Sequence, residues 1–198
     1  MTFRSLPHAL PALCLALVAF GCGKGAAEQA LAAATAAVEQ AKPEVERYVP
    51  AEWKPISDGL SACKASFDRG DYKRALASAQ ALLPKIQAAA EAARTKKDEL
   101  LATFGELKTS LPTLVDSLKR RLSQLAAASS LPSDLDQETV ATAQANLGSL
   151  TTAWTDALAR FDSGDIVAAV TKATDVKAKA EEMASVFLPA RAGTRAGK

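Results

Sequence analysis

One histidine, three cysteines and ten aromatic side chains are all that 198 residues hold of the groups most often used for catalysis, metal binding and stacking. Even these scarce groups shrink on inspection. The lone histidine, His8, and Cys14 lie in an N-terminal stretch, MTFRSLPHALPALCLALVAFGCGKG, that carries Arg4, an apolar run from Ala9 to Phe20 and small residues around Cys22. Twelve apolar residues are too few to span a bilayer, which takes about 20 as a helix, so residues 1–21 read as an export signal that is cleaved. A chain without histidine is excluded from Ser-His-Asp and Cys-His catalysis and from most zinc and haem chemistry. Cys22 stands at the end of that stretch and Cys63 is the one thiol beyond it, so no disulfide is expected within the domain, which must be held by core packing. With 24 basic against 22 acidic residues there is no electrostatic footprint for nucleic acid either. No catalytic residue, cofactor or metal site is expected, and the chain reads as a non-enzyme.

What the chain has is alanine, 44 residues of it, in a background poor in β-branched and aromatic side chains. That composition favours closely packed helices over sheets. No alternating pattern persists long enough for a strand. The fold class expected is all-α, with elongated or bundled antiparallel helical hairpins.

A shift of 94 residues lays Leu60–Ala79 over Trp154–Ala173, and seven of the twenty positions coincide, among them Phe67, Asp68, Gly70 and Asp71 with Phe161, Asp162, Gly164 and Asp165. Upstream, Ile56, Leu60, Cys63 and Phe67 fall along one helix face, as do Leu150, Trp154, Ala157 and Phe161. Gly70 and Gly164 are suited to a left-handed helix end, and Asp71 and Asp165 to capping the helix that follows. Two copies of a 94-residue repeat are therefore expected within residues 28–188, in halves of about 28–108 and 110–188. Helices are expected near 26–42, 55–69, 71–108 with a disturbance at Pro84, 112–128, 134–163 and 165–187. Leu114, Leu118, Leu122 and Leu125 mark a buried face, and Asp134 with Gln137 gives a capping signal. Residues 22–27 are expected as a tether and 189–198 as a disordered tail.

Several residues have a chemical and a plain structural reading. Cys63 sits in an apolar stripe, which favours an inert buried thiol over a redox group. Arg69-Gly70-Asp71 spells an adhesion tripeptide, yet Ser163-Gly164-Asp165 occupies the same turn, so turn geometry explains it. Lys119-Arg120-Arg121 is read as a solvated helix face. Asp134, Asp136 and Glu138 are read as helix-start acids rather than ion ligands. Trp53 and Trp154 are candidates for a groove, with core the simpler reading.

Ala19-Phe20-Gly21-Cys22 resembles the bacterial lipoprotein signal, in which the cysteine is diacylated and becomes the mature N-terminus. Gly21 and the apolar run agree with that pattern, while Ala19 and Phe20 depart from it. The resemblance implies lipidation at Cys22, and Gly23, in place of a retention aspartate, implies the outer membrane. Gly70-Asp71-Tyr72 with Ala75-Leu76 resembles the inter-helix turn of tetratricopeptide repeats, though the period of 94 is not theirs. Val45 to about Ala93, with Pro50-Ala51-Glu52 and the same turn, is similar to an uncharacterised class of helical domains common in bacterial envelope lipoproteins. These resemblances imply a lipid-anchored envelope protein facing the periplasm, held to the membrane by its N-terminal lipid, with an envelope protein or cell-wall component as partner. A helical interaction or scaffold module is the function expected; a small-ligand carrier or an enzyme within the bundle is the alternative.

Overall fold

The computed structural model describes residues 23–133 and 135–188. The expected export signal at residues 1–21, Cys22, Asp134 and the expected tail at 189–198 lie outside the described residues. Five helices follow one another: α1 (Gly23–Tyr48), α2 (Pro50–Asp68), α3 (Tyr72–Ala126), α4 (Gln137–Asp162) and α5 (Ile166–Phe187). No strand occurs among the described residues, and the all-α expectation holds.

The long helix organises the molecule. At 1.5 Å per residue the 55 residues of α3 extend about 80 Å. Helices α1 and α2 pack on each other and on α3, and α4 and α5 do the same, so two three-helix bundles share one continuous helix. The first half of α3 buries Ala75, Ala79, Leu82, Ile86, Ala89 and Ala93, and the second half buries Phe104, Leu107, Leu111, Leu118, Leu122 and Leu125. Steps of three, four and seven keep each set on one face, the pattern that lets helices pack side by side along a shallow supercoil. Alanine dominates the first core, with Ala27 and Ala34 of α1 fully buried as well. There is little side chain to fill a gap there, so the backbones must come close. Leucine dominates the second, with Leu107, Leu111, Leu118, Leu122, Leu125, Leu147 and Leu150 all buried.

Several boundaries differ from the sequence expectation. Helix α1 begins at Gly23, so residues 23–27 are helical rather than a tether, and it runs to Tyr48 through Pro43. Helix α2 starts at Pro50, five residues before the expected start, with proline in its first turn where the missing N–H costs nothing. The expected disturbance at Pro84 and the expected gap between 108 and 112 are both absent, for α3 passes through Pro84 and Pro112. Both prolines are exposed, and so are Gln80 and Lys108, whose carbonyls lose their partners to the prolines. Water can take over those carbonyls, while packing on the opposite face holds the helix. Leu114 is only half-buried, and Leu111 completes the stripe instead. Helix α4 begins at Gln137 rather than 134, and its cap is Asp136, whose carboxylate accepts the Thr139 N–H at 2.7 Å.

Candidate functional site

The two Gly-Asp turns have the same local geometry. Gly70 has φ +79° and Gly164 φ +85°, the left-handed conformation expected of both. The Gly70 N–H donates to the Phe67 carbonyl at 2.9 Å and the Asp71 N–H to Ser66 at 3.0 Å, closing α2. At the second turn the Gly164 N–H donates to Phe161 at 3.0 Å and the Asp165 N–H to Arg160 at 2.9 Å. The Asp71 carboxylate then accepts from the Arg74 N–H, and the Asp165 carboxylate from the Ala168 N–H. Asp68 and Asp162 are the last residues of α2 and α4 and are exposed. Neither belongs to a group of acids, histidines or cysteines able to hold a metal among the described residues.

The surroundings of the turns differ. Phe67 meets Tyr72 edge to face at 5.2 Å within its own hairpin. Phe161 reaches into the second bundle and stacks on Phe104 of α3. The first turn stands at the free end of the rod, beside the start of α1: a β-carbon on Gly23 would lie 4.0 Å from that of Tyr72. The second lies where the bundles meet, its Gly164 carbonyl accepting from Arg47 at the end of α1 at 3.5 Å. At the same junction Lys97 pairs with Glu44 at 3.1 Å and lies over the Tyr48 ring. The hydrogen bond and charge of Glu44 push the Lys97 ammonium above its ordinary pKa.

Cys63 is buried in the first core, and burial raises its thiol pKa, which keeps it protonated and unreactive. Trp154 is half-buried and stacks against the core on Phe104, at 5.8 Å between centroids. Trp53 is half-buried, with Lys42 over its ring. Of the Lys119-Arg120-Arg121 run, Lys119 and Arg120 are exposed, but Arg121 is not merely solvated: its Nε donates to the Phe187 carbonyl at 3.1 Å, closing the end of α5 onto α3.

A feature not evident from the motifs is a groove of about 540 Å³ between α4 and α5. Leu150, Ala153, Val176, Met183 and Phe187 form its floor, while Lys179, Glu182 and Asn146 stand among its polar lining groups. Val186, also in its lining, is 57% exposed, unusual for a large apolar side chain in this molecule. A smaller groove of about 360 Å³ lies between α2 and α3, lined by Ile56, Lys85, Ala88, Ala89 and Ala92 among others. Each of these five positions, shifted by 94, is a lining residue of the larger groove: Leu150, Lys179, Glu182, Met183 and Val186. Beyond Ala79 the 94-residue register keeps position more than identity, Lys85 and Lys179 being the one identical pair among the five. Alanines in the first groove become methionine, valine and glutamate in the second.

The chain has no significant match to a protein family, to a curated protein or to a solved structure.

Proposed function

We propose that this chain is a nonenzymatic, lipid-anchored protein of the bacterial cell envelope, a helical scaffold that presents its second hairpin to another envelope component. The observation that carries the reading is the position of Gly23, the residue after Cys22. It starts α1 at one end of the molecule, from which α3 extends about 80 Å. Acylation of Cys22 would tether that end and hold the α4–α5 hairpin out from the bilayer. No helix among the described residues is long and apolar enough to cross a membrane, and two acyl chains suffice for a stable anchor. The two turns of equal geometry and the two grooves at equivalent positions support a duplicated hairpin. Gly23 after the cysteine favours the outer membrane, facing the periplasm.

Palmitate labelling tests the anchor: the wild type should incorporate label and Cys22→Ala should not, and no label in either would overturn it. A photocrosslinker at Val186 should capture an envelope protein or a cell-wall fragment; capture of neither would remove the scaffold reading. The α4–α5 groove supports a second reading, a carrier of a small amphiphile, because its volume falls in the range of ligand sites. Native mass spectrometry of protein purified from the envelope separates the two, since a carrier should retain a bound small molecule.

A further inference from the structure

The two turns share backbone and acids but not bases. Residues 64–74 hold Lys64, Arg69, Lys73 and Arg74 against Asp68 and Asp71, four basic to two acidic. The equivalent stretch 158–168 keeps both acids as Asp162 and Asp165, yet has Leu158, Ser163, Val167 and Ala168 at the four basic positions and Arg160 as its one base. Capping and turn closure need the glycine and the aspartate, which both copies have, so local folding does not explain the bases. Location separates the copies. The second turn, exposed and with one base to two acids, abuts the end of α1 where the bundles meet, whereas the basic turn stands at the free end beside Gly23, where exposed Lys24 adds a further positive charge. Arg69, Lys73 and Arg74 are exposed, and none of the four cations at this end forms an ion pair among the described residues. The acids nearby are Glu28, the exposed Asp68 and Asp71, the last engaged as a cap, so that with Lys64 the end carries five basic groups against three acidic ones.

We propose that this end of the first bundle, through Lys24, Arg69, Lys73 and Arg74, seats on the anionic lipid headgroups of the membrane to which the chain is tethered. The proposal rests on the lipid-anchor reading and adds an orientation to it. A tether alone leaves the rod free to lie down, while a basic end pressed on anionic headgroups stands α3 away from the surface. Attraction of this kind acts within about a Debye length, so only charges at the tethered end contribute.

The test uses the unacylated chain from Gly23 to Lys198, which retains all five helices and the core formed by the described residues. Cosedimentation is measured with phosphatidylcholine vesicles containing about 30 mol% phosphatidylglycerol and with pure phosphatidylcholine, at low salt. Binding is expected to the anionic vesicles alone and should be abolished by high salt. Lys24→Gln, Arg69→Gln, Lys73→Gln and Arg74→Gln together should weaken it at least about 100-fold, and Lys73→Gln alone about fivefold, which keeps the test open if the quadruple variant does not fold. A control with the same change in net charge, Lys108→Gln, Lys119→Gln, Arg120→Gln and Lys179→Gln, should bind within about twofold of wild type. Equal binding to neutral vesicles, or equal loss in the control, overturns the proposal. Palmitate labelling reads the anchor separately: labelled protein without a basic-end effect sinks the orientation and leaves the anchor, and unlabelled protein sinks the anchor whatever the vesicles show.

Discussion

Phe161 lies flat against Phe104, with ring centroids 4.1 Å apart and 3° between planes. The first belongs to the turn motif at the end of α4 and the second to the middle of α3, so this stack ties the second hairpin to the shared helix. Phe67, in the same place of the first turn, has no counterpart to Phe104 and turns to Tyr72 instead. The phenylalanine of the same motif therefore closes a hairpin at the first turn and joins the hairpin to α3 at the second.

Phe104 is 1% exposed and touches both Phe161 and Trp154. Phe104→Ala should cost about 3–5 kcal/mol, the range for deleting a buried phenylalanine. Trp154 fluorescence should shift to the red as water enters. An undisturbed Trp154 emission together with an unchanged urea midpoint would mean that the stack does not hold the hairpin.

The glycines divide by backbone angle. Space is open around a β-carbon at Gly70, Gly164, Gly105 and Gly148, but only the first two have positive φ. Gly70→Ala and Gly164→Ala should each lose about 1–2 kcal/mol, the cost of a left-handed L-residue. Gly105→Ala and Gly148→Ala, inside α3 and α4, should each gain up to about 1 kcal/mol from helix propensity. Thermal melts of the four variants should move in opposite directions; a uniform direction would contradict the assignment of caps.

Asp156 joins α4 to α5. Its carboxylate accepts from Lys172 of α5 and from Arg160 of its own helix, and the Lys172 hydrogen bond, then that of Arg160, holds its pKa below the ordinary value. A depressed carboxylate stabilises the fold when ionised. That contribution is complete above the unfolded value of about 3.9 and disappears as pH falls through the lower folded value. Asp156→Asn should therefore melt below wild type near neutral pH and level with it in strong acid. Since both partners are partly exposed, added salt should narrow the neutral gap. A gap that is constant with pH would show that packing, not charge, is lost.

Fold class and both turns were legible because they are local. An L-residue resists positive φ and an aspartate side chain reaches an amide three positions ahead, so Phe-Asp-x-Gly-Asp carries its conformation wherever it stands. The stripe Ile56, Leu60, Cys63 was equally readable, and all three are buried in the first core. Capping at Asp136 was harder to place because Asp134 offers a similar side chain two residues earlier. A proline in isolation breaks a helix, so the sequence divides α3 between residues 108 and 112 and disturbs it at Pro84; only exposure of Pro84 and Pro112 opposite a packed face reverses that rule. Nor does any local signal pair Phe161 with Phe104, fifty-seven positions apart, or place the first turn beside Gly23. The amino-acid sequence determined helices, their caps and the absence of histidine after position 8. Tertiary structure decided that one long helix serves two bundles, that equal turns meet unequal surroundings, and that the basic turn is the one at the free end, because packing between distant segments depends on which faces meet and not on the residues of any one segment alone.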